Sequence, residues 1–199
     1  MNTAQPRVWY AAYGSNMHAE RFACYLRGGR PPGGARTYPG CRDTRAPERQ
    51  VQVVLPGQMY FAGESAVWTG GMAFYDPTAA GTTPARAYLV TAQQFADIAA
   101  QEMRRDPGAD LDLTEVLAQG TAQLGPGRYE TLVHPGHLDG LPLLTFTAPW
   151  RIEQAPLNPP SAAYLHHLAA GLAETHGWPQ DRIAAYLASR PGAANPGCT

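Results

Sequence analysis

Two places in this sequence combine residue types suited to holding an anion and to moving a proton. The first is Tyr13-Gly14-Ser15-Asn16, which follows the apolar run Val8-Trp9-Tyr10-Ala11-Ala12. A glycine at a strand-to-helix junction reaches backbone dihedrals closed to other residues and lets a ligand approach the main chain. Successive N–H groups at such a junction can hold an anion. An Asn-containing turn capping the next helix accounts for the same residues without a ligand. The second place is Glu102. Phe95, Ile98 and Glu102 fall at i, i+3 and i+7, which puts the carboxylate on the apolar side of a helix. Desolvation disfavours the charged form, so such a glutamate exchanges protons near neutral pH and can act as a general base. At a helix end it can equally fray outward and pair with Arg104 or Arg105.

Other constellations carry less. His134-Pro135-Gly136-His137 sets two imidazoles close together, but a Pro-Gly pair reads as a surface turn and no third ligand has metal-site spacing. Ser15 lacks the G-x-S-x-G elbow and any assignable His and Asp partners. His18 falls one turn into a helix, His166 and His167 lie on a C-terminal helix, and His176 lies at that helix's end, where the dipole favours it. Tyr164 and Trp178 read as packing residues. The expectation is that no metal and no cofactor is bound.

Composition bounds the rest. The 199 residues suffice for one domain with a sizeable core, residues 1–199. The polar segment Met1 to Arg7 has no apolar stretch behind it, and no run is long enough to cross a bilayer, so a soluble, cytoplasmic protein is expected. Cys24, Cys41 and Cys198 are widely spaced and read as reduced thiols. All 15 basic residues are arginine, which excludes a Schiff-base or P-loop lysine. A net charge of −1 argues against general nucleic-acid binding. The first 49 residues are nevertheless basic, with Arg7, Arg21, Arg27, Arg30, Arg36, Arg42, Arg45 and Arg49 against Glu20, Asp43 and Glu48. That field suits a carboxylated small molecule, although a solvated surface is the simpler place for most of these arginines.

The elements positioning the two places read as α+β. The strand through Tyr13 leads to a helix over Met17 to Leu26, ended by Gly28-Gly29. An ordered Pro/Gly/Arg-rich loop follows from Arg30 to Arg49, with Tyr38 and Cys41 turned inward. Gln50–Leu55, Gln58–Ala62, Gly71–Tyr75 and Arg86–Val90 have strand composition. Thr91 opens a helix with Gln94 at capping-box spacing. A helix is expected near Asp112–Leu117, strands over Gly127–Val133 and Leu143–Phe146, and a C-terminal helix pair broken at Gly177-Trp178-Pro179.

Taken together, these blocks resemble the γ-glutamylcyclotransferase-like family. Tyr13-Gly14-Ser15-Asn16 matches its substrate loop, Trp68-Thr69-Gly70-Gly71-Met72-Ala73 its Trp-x-Gly-Gly-hydrophobic-Ala block, and Ile98-Ala99-Ala100-Gln101-Glu102 its catalytic-glutamate segment. Tyr129 matches a family tyrosine near the pocket. Met103 stands where the family commonly has Gly, Phe146 where some relatives have Tyr, and Arg104 to Pro126 is an insertion whose helix can reshape the leaving-group side or act as a lid.

The resemblance implies a small mixed β-barrel-like sheet surrounded by helices. It also implies a transferase- or lyase-class enzyme that cyclises a γ-glutamyl amide or peptide to 5-oxoproline with release of the amine. Glu102 would be the catalytic acid/base, and Tyr13, Gly14, Ser15, Asn16 and Tyr129 would bind the small-molecule substrate. The alternative is a non-catalytic binding module, or an amidase-like relative, using the same pocket. Neither the substrate's amine nor the oligomeric state is legible.

Overall fold

The structure, a computed structural model, describes residues 5–194, so Met1 to Ala4 and Cys198 lie outside it. In chain order the elements are β1 (Arg7–Ala12), α1 (Ala19–Arg27), β2 (Arg49–Pro56), β3 (Gln58–Ala62), β4 (Met72–Asp76), β5 (Thr82–Thr91), α2 (Ala92–Glu102), α3 (Thr114–Gln119), β6 (Thr121–Gln123), β7 (Thr131–Leu138), β8 (Leu141–Thr147), α4 (Ala162–His176) and α5 (Gln180–Ala188).

Strand β1 is apolar without alternation because it is central. Val8 to Ala12 are all buried. The strand pairs antiparallel with β5, Tyr10 opposite Tyr88, and parallel with β8, Tyr10 opposite Leu144. The six-stranded sheet runs β2-β5-β1-β8-β7-β6, and β3 and β4 form a separate two-stranded ribbon that packs on β5 and β8. With β2 and β6 at opposite edges and the ribbon in a ladder with neither, the sheet does not close. The α+β architecture, a mixed sheet with helices packed around it, is the expected one, with the sheet open where a true barrel requires its edge strands to pair. Among the described residues no helix is long and apolar enough to cross a membrane.

Helix α2 starts where its sequence signal puts it. Thr91 Oγ1 accepts from Gln94 N–H at 3.0 Å while Gln94 Oε1 accepts from Thr91 N–H at 3.1 Å, satisfying two of the orphan groups of a helix start. Helices α4 and α5 form the expected pair, with Gly177 left-handed at φ 63° between them. Three local expectations change. The Met17 to Leu26 helix is a 3₁₀ turn, Ser15–Met17, followed by α1, because His18 is extended and caps α1. The strand expected over Gly127–Val133 starts only at Thr131, since Gly127 N–H donates to the Glu130 carboxylate at 2.6 Å and Tyr129 takes φ 60°. His134 to His137 is not a turn but part of β7, at a register shift between Val133 and Gly136 of the bulge type.

Candidate active site

The Gly14–Asn16 loop leaves the central strand with its backbone fixed by neighbours. Tyr88 Oη donates to the Asn16 carbonyl at 2.8 Å, Tyr13 Oη donates to the Phe146 carbonyl at 2.9 Å, and Met17 N–H closes back on the Gly14 carbonyl at 3.0 Å. Among the described residues no acceptor engages the N–H of Gly14 or of Ser15. Tyr13's hydroxyl is thus committed to anchoring the loop, while the two N–H groups remain available. All of Tyr13, Gly14, Ser15 and Asn16 line a cavity of about 420 Å³.

Glu102 lines the same cavity from the last turn of α2. It is half-buried, its exposure opening onto that cavity. Asn16 Nδ2 donates to Glu102 Oε1 at 3.1 Å and also to Tyr10 Oη at 3.2 Å, so one amide links the loop to the carboxylate. Burial raises the Glu102 carboxyl above the ordinary carboxylate range, opposed by the Arg21 charge, the Tyr25 hydroxyl, Asn16 and Arg36. The fraying alternative is not what the chain adopts, and Arg105 pairs instead with Glu130.

Tyr129 also lines the cavity, with its hydroxyl donating to the Ala73 carbonyl at 2.8 Å. Tyr164, expected only to pack, lines it as well, and its hydroxyl accepts from Ala73 N–H at 3.1 Å. Together these two tyrosines grip Ala73 from both sides of its backbone, which fixes the Trp68–Ala73 block against the loop. Helix α3 of the insertion packs on β6 and β7, and Arg104 is the residue of the insertion that lines the cavity, with Met103 just before the insertion and Gly127 just after it. It is the start of the insertion, and not its helix, that borders the site.

Arg21 was not singled out from the eight arginines of the basic N-terminal stretch, most of which read as surface residues. It is 2% exposed and lines the cavity. Its signal was present: Arg21, Phe22, Tyr25 and Leu26 fall on the buried face of α1, the same periodicity that singled out Glu102.

Among the solved structures that match, two superpose over nearly the whole chain. A γ-glutamyl cyclotransferase aligns over 97% of this chain and 94% of its own, with TM-score 0.54 and 16% identity. The fold is the γ-glutamyl cyclotransferase fold. An uncharacterized protein from Homo sapiens aligns over 98% of this chain and 95% of its own, with TM-score 0.54 and 15% identity. No protein-family model matches the chain. Among curated proteins, Histone deacetylase 5 of Arabidopsis thaliana is 31% identical over 202 residues, covering 92% of this chain and 31% of that protein. The chain thus spans about a third of the length of the curated relative it matches. Among the described residues no group of three or more His, Cys, Asp or Glu side chains could hold a metal ion, and His134 and His137 stand as a ring pair 4.7 Å apart.

A histidine relay ties α4 to His18, the residue that follows the Ser15–Met17 turn. His167, 3% exposed, has Nε2 at 3.0 Å from the Pro32 carbonyl and Nδ1 at 2.9 Å from His18 Nδ1. The Pro32 carbonyl can only accept, so His167 donates from Nε2 and accepts at Nδ1 from His18. His18 Nε2 in turn lies 3.3 Å from Glu174. Burial lowers the His167 pKa below its usual value, as it does for His176 and His134. A folded-state pKa below the unfolded one contributes stability that is present above the unfolded value and is lost as pH falls through the folded one. The denaturant midpoint is therefore expected to fall as pH is lowered from ~7 to ~5. His167→Gln should flatten that dependence, and an unchanged slope in the variant would assign the effect to other groups.

Proposed function

We propose that this protein cyclises γ-glutamyl amides or peptides, releasing 5-oxoproline and a free amine. The observation supporting this most strongly is the Asn16 bridge: one side chain of the Gly14–Asn16 loop hydrogen-bonds, at 3.1 Å, a carboxylate whose proton affinity is raised by burial. In the proposed reaction Glu102 takes a proton from the α-ammonium, and the freed amine attacks the γ-carbonyl carbon. The resulting tetrahedral oxygen is held by backbone N–H groups. The C–N bond then breaks as Glu102 returns the proton to the departing nitrogen, and the ring nitrogen gives up its second proton to the freed amine, which leaves as an ammonium. Holding the substrate coiled, with its amine against its own carbonyl, removes much of the entropic barrier. The nucleophile is the substrate's own amine, so the chemistry calls for no external nucleophile, metal or cofactor.

Tyr129 and Tyr164 favour this reading in a second way, since burial raises both hydroxyls, Tyr164 to about 12. They remain neutral donors and acceptors through the working pH range. Arg21 also favours a carboxylated ligand of any kind, which keeps open a non-catalytic module, or an amidase-like relative, using this cavity. The deacetylase name belongs to a protein of which the chain matches 31%, and no feature of this cavity is specific to deacetylation. Incubation with a panel of γ-glutamyl amines and γ-glutamyl amino acids, with 5-oxoproline measured directly, decides between the readings. Release from at least one member is expected, and a wild-type protein inert across the panel while still binding 5-oxoproline would establish the non-catalytic reading.

A further inference from the structure

Arg21 is deeply buried and chemically open. Its Nη2 donates to Tyr38 Oη at 2.8 Å and Tyr25 Oη at 3.2 Å, whereas Nε and Nη1 have no partner among the described residues. It takes part in none of the ion pairs found among the described residues. The guanidinium carbon lies 4.6, 4.7 and 5.5 Å from the ring centres of Tyr38, Tyr25 and Trp68. Aromatic faces hold and orient a guanidinium, but they offer its N–H groups no acceptor in the ring plane. A guanidinium stays charged even here, and a buried charge with open donors is costly unless an anion meets it. The wall around Arg21 is thus built for an acceptor that the protein itself does not supply.

Which acceptor follows from the position of Glu102, and this step rests on the cyclisation reading. The α-carbon of a γ-glutamyl group carries both the amine that Glu102 must deprotonate and a carboxylate. The two substituents are held within about 4 Å of each other by covalent geometry. Arg21, Tyr25 and Glu102 line the same cavity, with the Tyr25 hydroxyl held by Arg21 Nη2 at 3.2 Å. Of the arginines that line the cavity, Arg21, Arg36, Arg104 and Arg128, Arg21 is the buried one and the one with unpaired buried donors, so a substrate whose amine meets Glu102 finds its carboxylate partner there. We propose that Arg21 binds the α-carboxylate of the glutamyl group, leaving the Gly14 and Ser15 N–H groups to the γ-carbonyl oxygen. The substrate class is then restricted to γ-glutamyl compounds with a free α-carboxylate, whatever amine they carry. Seating that carboxylate also offsets the Arg21 field at Glu102, which strengthens Glu102 as a base only when substrate is in place.

The test compares binding of 5-oxoproline with that of its neutral carboxamide by calorimetry, alongside turnover of a γ-glutamyl amide and its α-carboxamide counterpart. Wild-type protein should prefer the acid by about a hundredfold in both. Arg21→Gln should lose that preference to within a few-fold, Arg21→Lys should restore part of it, and Tyr38→Phe, which removes one hydroxyl from Nη2, should weaken it in a protein that keeps its unfolding midpoint. A folded Arg21→Gln protein that still prefers the acid as strongly as wild type overturns the assignment. If Arg21→Gln does not fold, an undiminished preference in both Arg21→Lys and Tyr38→Phe overturns it equally. Acid preference without any 5-oxoproline release would overturn the reaction and leave Arg21 as a carboxylate site. Release with Arg21-independent preference would do the reverse.

Discussion

Glu102→Gln is expected to lower the rate of 5-oxoproline release by roughly 10²–10⁴-fold, the range typical of general acid–base groups, with little change in KM. Gln keeps the shape and an acceptor oxygen for Asn16 Nδ2, now 3.1 Å from Glu102 Oε1, so the loop should stay in place. What is lost is the proton acceptor, and the loss falls on kcat. In the wild-type protein kcat/KM should rise with pH as Glu102 ionises, with its inflection above the ordinary value of about 4.3, because burial raises this carboxyl. The variant should lose that inflection. Stability should move the opposite way. A raised folded-state pKa means that Glu102 contributes stability present below its unfolded pKa and lost as pH rises through the folded one. At neutral pH the neutral Gln should therefore unfold at a higher temperature than wild type, as expected where activity requires a destabilised group. A variant that is slow, but whose midpoint is lowered at every pH, would mean that Glu102 acts by holding the fold.

The contrast between Glu102 and Arg21 shows what sequence can and cannot reveal here. Both are charged residues on buried helical faces, and periodicity places each of them. Glu102 stood out because its neighbours Phe95 and Ile98 are plainly apolar. Arg21 was masked by seven other arginines in the same basic stretch, and its aromatic box is assembled from Tyr25 on its own helix together with Tyr38 and Trp68 from distant loops. No local pattern links those positions. The capping box at Thr91 and the unbroken apolar run of β1 were legible because each depends on short-range geometry or on burial of both faces. Whether the sheet closed was not legible, because closure depends on which edges pair, and strand composition does not report that. The His18–His167 contact likewise joins residues whose roles are set by α4 docking onto the loop, a tertiary fact.

Gly171→Ala carries the second large effect, and its sign runs against helix propensity. In an exposed helix interior the exchange should stabilise by about 1 kcal/mol. Gly171 is buried in α4, where an added Cβ would sit 2.5 Å from Met17 Cβ and 2.8 Å from the His18 backbone N. The far end of a flexible side chain could swing away from such a contact, but a backbone nitrogen cannot. Either α4 or the Ser15–Met17 turn must shift. The cost should exceed the propensity gain and leave the protein roughly 1–3 kcal/mol less stable, as overpacking does elsewhere. The shift also has a direction of consequence. The turn carries Asn16, whose amide meets Glu102 and whose carbonyl is held by Tyr88, so displacing it should lengthen the link between loop and base. Activity should then fall by more than the population of unfolded protein explains. Ala163→Gly provides the control, because Ala163 is exposed on the same helix and should cost only propensity, about 1 kcal/mol, with turnover intact. Paired denaturant unfolding and steady-state kinetics on the two variants separate a close helix–loop contact from a general weakening of α4. A Gly171→Ala protein as stable and active as wild type would mean that α4 does not set the position of the loop.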